Sequence, residues 1–399
     1  MNVWILNPYG NLPNESWRPH RYNILSDAFV EKGHKVTYWI SNIDHRSKLE
    51  RDLSNHHYQN LTINVVASSH YFEHISLKRV WFEVKYIRNF IRMAENEQFK
   101  PDIIILAEPA LFISYFFVKF SKRHNLKFVV DFVDLWPEIF KIVLHPSLKR
   151  FDKIVYYPFY FIRKWFVKKA SGIISVSKAY NEIALSINSY VPNKIIYWGT
   201  KLDPTFLNEM TYDTGQNLNV IYAGTLGDNY DINSIIECGK MIEDQNLNIN
   251  IYIAGDGNLK NFVINSISNY GLTRTKYLGR LNQEDLLVHY KRCNLAFSTY
   301  SRDSTVSMPI KAFDYLSAGL PMLNSLGYDL GFFVENNLIG LNYKAEDVDD
   351  LFNKLVLLSN DKVLLETMRK NCLSLSTEFD QKILYPGYVE FCEDLVSKS

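Results

Sequence analysis

Apolar residues in this chain fall into short runs, and between those runs they recur every three or four positions. Strand and helix periods alternating from end to end are the pattern of parallel α/β sheets. Val3–Leu6 predicts a first strand, followed by a polar loop from Asn7 to about His20 and a helix over Arg21–Lys32 that Gly33 stops. Lys35–Ile40, Ile103–Leu106, Lys127–Val130, Gly172–Ser175 and Lys194–Tyr197 continue the strands. Over 203–217 the period is lost and the residues turn polar, which predicts a linker. A second series then opens, with strands at Asn219–Tyr222, Asn248–Ile253, Thr275–Leu278, Leu295–Ser298 and Pro321–Asn324. Its helices include Ile232–Glu243, Gln283–Arg292 and Pro309–Ala318. The pattern predicts two Rossmann-like parallel-sheet domains, 1–202 and 218–380, and a last helix over 381–399 crossing back onto the first. Ligands of such sheets sit beyond the carboxyl ends of the strands, so chemistry is expected in a cleft between two such edges.

Composition narrows the class. Of 399 residues, 47% are hydrophobic and 22% charged, proportions that exclude a disordered or low-complexity chain. The longest nearly uncharged apolar stretch, Ile103–Val118, is broken by Glu108 and Pro109 and falls short of the ~20 residues that span a bilayer. Met1–Pro8 lacks the basic start of a signal peptide. The four cysteines are scattered without a C-x-x-C and predict reduced thiols, so the expected location is the cytoplasm. The ten histidines show no metal-ligand spacing, and neither a metal nor a cofactor is expected.

Charge changes the picture more. The net +1 conceals a split: residues 1–200 carry 27 Lys and Arg against 17 Asp and Glu, while residues 201–399 carry 17 against 26. Between Lys141 and Lys169 there are eight cations and one acid, Asp152, with Phe151, Phe159, Ile162, Trp165 and Phe166 at helical spacing and Pro158 expected to divide two helices. Lys78, Arg79, Lys85, Arg88 and Arg92 accompany Val80, Trp81, Val84, Ile87 and Ile91 in a similar way. Basic aromatic helices suit an anionic membrane surface, with Lys164, Trp165, Lys168 and Lys169 the leading candidates and Trp165, Phe166 or Phe159 inserting. A solvated basic face over a packed core gives the same pattern. No nucleic-acid module is present, so no nucleic-acid partner is expected.

Four constellations carry candidate chemistry. In Ser307–Pro321, Pro309 suits the first turn of a helix, Lys311 falls in that turn, and Asp314 follows three residues later on the same side. Backbone N–H groups with a lysine form a phosphate cradle, and a carboxylate accepts hydrogen bonds from a ribose diol. An ordinary surface Lys–Asp pair is the alternative. Gly224-Thr225-Leu226-Gly227 and Gly255-Asp256-Gly257 each follow a strand and precede a helix, where backbone approaches a phosphate closely, although neither completes G-x-G-x-x-G. Asp131, Asp134 and Glu138 cluster just beyond a strand, where they would position an acceptor hydroxyl or, equally, bind Arg and Lys. The long loop after the first strand offers Gly10, Arg18, His20 and Arg21 to an anionic substrate.

Taken together, Asn7-Pro8-Tyr9-Gly10, Asp134-Leu135-Trp136-Pro137-Glu138, Gly255-Asp256-Gly257, Leu278-Gly279-Arg280 and Pro309–Pro321 resemble a bacterial glycosyltransferase of family 4, over nearly the whole chain. The resemblance implies the two-domain GT-B fold and metal-independent, retaining sugar transfer from a nucleotide sugar, UDP-linked, to a polyprenyl-linked or saccharide acceptor. It implies work on surface polysaccharide (O-antigen or capsule) at the inner face of the cell membrane. By position, Asp314 matches the second acid of the family's E-x7-E signature, which binds ribose, and Lys311 matches the lysine of an S-x-P-x-K form that begins at Ser307. Gly224 and Thr225 then face the donor diphosphate, Gly279 and Arg280 lie near the base, and Gly227, Gly255, Gly257 and Tyr315 complete the donor set. Lys311 and Asp134 are the implied catalytic residues. Val306 stands where the first acid of the signature would be, Gly224–Tyr230 lacks the common cation pair, and Val133 stands where a histidine is frequent. A GT-B sugar-nucleotide epimerase, or a weakened scaffold in a polysaccharide assembly complex, are the alternatives.

Overall fold

The computed structural model describes residues 1–13, 15, 20–73, 76–108, 111–138, 140, 144–201 and 217–398. They form two units, Met1–Tyr197 with Lys382–Ser399, and Trp198–Gln381. The expected linker, 203–217, lies outside the described residues apart from Asn217.

The first unit contains β1 (Asn2–Leu6), α1 (Arg21–Glu31), β2 (Lys35–Ser41), β3 (His56–His57), β4 (Leu61–Val66), α2 (Leu77–Asn96), β5 (Ile103–Glu108) and α3 (Leu111–Arg123). It continues through β6 (Lys127–Phe132), α4 (Asp152–Val155), α5 (Tyr157–Val167), β7 (Gly172–Ser175), α6 (Lys178–Ile187) and β8 (Asn193–Ile195). The strand order is β3-β4-β2-β1-β5-β6-β7-β8, parallel except for the β3–β4 hairpin. Successive side chains of a strand point to opposite faces. Trp4, Leu6, Ile104, Leu106 and Val130 therefore pack under α2, α3, α5 and α6, while Val3, Ile5, Ile103, Ile105 and Val129 face α1 and the C-terminal helix.

The second unit contains β9 (Leu218–Ala223), α7 (Ile232–Asp244), β10 (Ile249–Ala254), α8 (Lys260–Asn269), β11 (Thr275–Gly279), α9 (Gln283–Arg292) and β12 (Leu295–Ser298). α10 (Ile310–Ser317), β13 (Met322–Asn324), α11 (Tyr328–Asn337), β14 (Gly340–Asn342), α12 (Val348–Asn360) and α13 (Lys362–Glu378) follow, and α14 (Gln381–Ser397) returns to the first unit. The sheet runs β11-β10-β9-β12-β13-β14, all parallel.

Polar side chains start several of the helices. Asp231 accepts from the Ser234 N–H at α7, Asn282 from Asp285 at α9, and Asp347 from Asp350 at α12. Pro158 sits in the first turn of α5, and the break between α4 and α5 falls at Tyr156, because a proline is tolerated where the N–H has no partner anyway. Pro309 precedes α10 in extended backbone and does not enter its first turn.

In each sheet the direction of winding reverses once, between β1 and β5 and between β9 and β12. The loops on either side of a reversal diverge and open a crevice.

Candidate functional site

The second unit's crevice is floored by three loops joined through their backbones. Gly224 N–H donates to the Ala254 carbonyl, Leu226 N–H to Asp256, and Gly255 N–H to Gly279. A Cβ on Gly255 would overlap the Gly224 carbonyl, and one on Gly257 the Leu226 carbonyl, so loop-to-loop packing already demands both glycines. Gly279 is needed for its own backbone, at φ 73°. Nothing crowds Gly227 closer than 3.4 Å. Thr225 is exposed and its carbonyl accepts from the Tyr222 hydroxyl at 2.6 Å, while Arg280 follows β11 with an exposed side chain.

α10 rises on the other side of the reversal. No side chain caps its N-terminus, so first-turn N–H groups face outward from the helix end. Lys311 in that turn carries its ammonium inward, 4.5, 4.4 and 4.9 Å from the ring centroids of Tyr222, Tyr230 and Tyr300. The ammonium has no hydrogen-bond partner among the described residues. Burial lowers its pKa to about 7, with Asp314 pulling the other way. The ammonium lies where a Cβ on Gly224 would come within 3.1 Å of it. Ser307, Ser298 and Thr299 add buried hydroxyls without partners among the described residues. Asp314, half-buried, interacts with Lys311 along the helix.

Tyr315 is corrected. Its ring is fully buried and its hydroxyl is occupied by the backbone, accepting from the Ala223 N–H at 3.2 Å and donating to the Phe297 carbonyl at 3.2 Å. It clamps α10 onto β9 and β12 and has no surface to offer a donor.

Around the first unit's crevice, several expected substrate contacts are absorbed by the fold. Arg21 is fully buried and grips Asp131 through two bonds of 2.9 and 3.2 Å, beneath the rings of Tyr385 and Tyr388. Neither residue of that pair is free for an anion or an acceptor hydroxyl. His20 is half-buried, and burial with the neighbouring Arg21 and Arg46 charges lowers its pKa to about 4, so it is a neutral ring at pH 7. A Cβ on Gly10 would overlap the Tyr38 hydroxyl. Arg18 lies outside the described residues. Glu138 binds Arg163 with two bonds of 2.6 and 2.7 Å. Asp134 alone of the strand-end acids is exposed; desolvation by surrounding protein raises its pKa, opposed by Arg79.

The sequence matches known families in both halves. Residues 23–204 match the family described as Glycosyltransferase Family 4, and residues 213–373 that described as Glycosyl transferases group 1. The chain is a glycosyltransferase of the family 4 type. Among solved structures this glycosyltransferase is similar to the sucrose-phosphate synthase of Thermosynechococcus elongatus, with TM-score 0.78, 14% identity and complete coverage of both chains. It is similar also to HepE of Anabaena, solved in complex with UDP and glucose, with TM-score 0.66, 15% identity, and 99% of this chain and 100% of that one covered. WaaG, a glycosyltransferase involved in lipopolysaccharide biosynthesis, aligns with TM-score 0.65 at 13% identity over 98% of this chain and 99% of its own. These likenesses establish the GT-B fold. No curated protein sequence matches the chain.

The glycosyltransferase's basic helices need correction in detail. Phe166 is 0% exposed and Arg163 is buried on Glu138, so neither reaches a surface. Phe159 packs among Phe112, Phe140 and Tyr156, and Trp165 lies half-buried against Tyr115. Lys164, Lys168 and Lys169 are exposed, and the exposed apolar residues of the same stretch are Leu148, Phe151, Ile154, Val155, Tyr157 and Phe161. On α2, Leu77 and Trp81 are exposed, whereas Arg79 is buried between the rings of Tyr9 and Trp136 at 4.6 and 4.1 Å. Both α2 and α5 pack on α3, which puts the two helices in one layer of the unit. No helix among the described residues is long and apolar enough to cross a membrane.

Sequence reasoning puts Tyr300 beyond the carboxyl end of a strand but does not link it with Tyr222, Tyr230 and Lys311, and it misses the buried Tyr9–Glu83–Arg79 group, in which burial raises Glu83 to about pKa 7 against the pull of Arg79. The available signal for the tyrosines was position: Tyr222 and Tyr300 lie at the carboxyl ends of the two strands flanking the reversal.

Proposed function

We propose that this glycosyltransferase moves a sugar, with retention and without a metal, from a UDP-linked donor to a polyprenyl-linked or saccharide acceptor of bacterial surface polysaccharide. The observation that carries the reading is the Lys311 ammonium, held at the sheet reversal without an acceptor among the described residues, beside Gly224 and an uncapped helix start. Such a place complements a diphosphate. Charge on the leaving diphosphate grows as the glycosidic bond breaks, so a cation held there stabilises the transition state more than the ground state. Asp314 takes the ribose, Thr225 and Gly227 line the diphosphate path, and Gly279 and Arg280 receive the base. Asp134, the accessible acid at the end of β6, orients the acceptor hydroxyl.

The UDP complex of HepE supports the donor class, and the lipopolysaccharide role of WaaG supports the acceptor class. The exposed apolar residues among lysines on α4 and α5 support work as a peripheral protein at an anionic membrane.

A panel of nucleotide sugars, assayed for transfer and slow hydrolysis with NMR of the product, tests the reading. A UDP-sugar turned over with retained anomeric configuration is the expected result. An epimerised donor would make the protein an epimerase, and binding without turnover a scaffold.

A further inference from the structure

We propose that Tyr222, Tyr230 and Tyr300 form an aromatic seat that positions the Lys311 ammonium for the donor diphosphate. The proposal rests on the donor reading above and adds the residues that place its cation. Three rings within 5 Å of one buried ammonium, with no hydrogen-bond acceptor among the described residues, is an arrangement in which ring faces replace water.

The three rings come from different places. Tyr222 is the penultimate residue of β9, Tyr230 lies in the loop that follows, and Tyr300 follows β12. Their edges touch, with centroids 6.3 Å apart for Tyr222–Tyr230 and 5.1 Å for Tyr230–Tyr300. Backbone bonds hold the seat: Ser301 N–H donates to the Asn229 carbonyl, and Tyr300 N–H to the Ser325 hydroxyl. Tyr222 joins it to the glycine loop, because its hydroxyl donates to the Thr225 carbonyl. One set of rings thus fixes the lysine and the loop on which the diphosphate would rest.

The seat also explains the absence of other cations from Gly224–Tyr230. A single lysine suffices where it cannot wander, since a long flexible side chain loses its freedom before the ligand arrives. Ring faces stabilise the ammonium less than phosphate oxygens do, so the seat keeps the charge available. The charged and titratable groups facing the ammonium are Asp314 on its own helix and the three phenols from β9 and the two loops. A diphosphate adds a strong anion to that set and draws a proton onto Lys311. Above about pH 7, where the terminal phosphate of UDP is already ionised, UDP affinity should fall as pH rises toward 9, because the free lysine loses its proton near 7 and the UDP-bound one at higher pH.

Calorimetric titration with UDP and with uridine tests the seat. Tyr230→Leu should weaken UDP by about 5- to 30-fold and leave uridine unchanged, and Tyr230→Phe, which keeps the ring, should restore UDP binding to within about twofold. Tyr300→Phe and Tyr300→Leu should repeat the contrast. Lys311→Arg should bind UDP without the pH dependence between 7 and 9. Leu variants that bind UDP like the parent, or that lose UDP and uridine equally, overturn the seat. If Lys311→Ala itself binds UDP with parental affinity, the donor reading fails as well; a weakened Lys311→Ala beside unaffected Leu variants condemns the seat alone.

Discussion

Lys311 imposes opposite demands on stability and on chemistry. Its folded pKa of about 7 lies below the ordinary 10.5, so between those values the unfolded chain holds a proton that the folded chain lacks. Stability should therefore climb with pH across that window, and the cost of burying the charge is complete below about 7. Lys311→Met keeps a side chain against the rings and removes the charge. It should raise the melting temperature by several degrees at pH 6, with the gain shrinking toward pH 10, while abolishing donor turnover. Differential scanning calorimetry across that range reads the sign; an unchanged or lowered melting temperature at pH 6 would mean the charge is well solvated. Asp314→Ala should weaken UDP about ten- to a hundredfold with little change in melting, as expected for lost charge-assisted bonds to a ribose. Unaltered UDP affinity would place the ribose elsewhere.

Elements in this fold are held by single polar contacts placed between apolar faces. Arg21 opens α1, Asp131 lies on β6, and α14 covers the pair with Tyr385 and Tyr388. Removing one partner leaves the other charge buried, so Arg21→Met should cost about 3–5 kcal/mol in urea unfolding. Tyr315→Phe should cost about 1–3 kcal/mol by stranding the Ala223 N–H that α10 satisfies through the hydroxyl. Parental denaturation midpoints would show these contacts to be dispensable. Such pairs also mark the limit of sequence reading. The strands and most helices were legible because their periods are local, and the ends of Gly172–Ser175, Gln283–Arg292 and Leu295–Ser298 coincide with the structure. Leu61–Val66 was missed although Leu61-Thr62-Ile63-Asn64-Val65 alternates as a strand does, and with it the His56–His57 hairpin. Arg21 and Asp131 lie 110 positions apart, and the four residues of the lysine seat span 222 to 311. Strand order, which no local pattern encodes, brings them together. Hence Lys311 and Asp314 could be singled out from spacing, whereas the tyrosines could not, and Arg21, Tyr315 and Glu138 looked available until their partners were known.

At the level of the whole molecule, the division of charge between the two halves predicts where the protein works. Replacing Lys164, Lys168 and Lys169 with Glu should abolish sedimentation with anionic liposomes and preserve donor hydrolysis, each lysine near the surface contributing about 1 kcal/mol. Ile154→Asp with Phe161→Asp should remove the fraction of binding that survives high salt, since apolar insertion is not screened. Parental sedimentation of the triple variant would reduce this face to a solvated one. Turnover should persist in EDTA, because Lys311 supplies the charge opposite the diphosphate; strict dependence on added divalent cation would assign that task elsewhere.

The return of α14 to the first unit has a consequence for biogenesis. The second unit is one continuous stretch, Trp198–Gln381, whereas the first needs Lys382–Ser399 to finish the face on which Tyr22, Leu25 and Phe29 are buried. On the ribosome the half synthesised later would thus mature earlier, and the half synthesised first would wait with an open apolar flank until the last helix emerged. Chains truncated after residue 381 and released should therefore yield a protease-resistant fragment from the second unit while the first is still digested and held by chaperones.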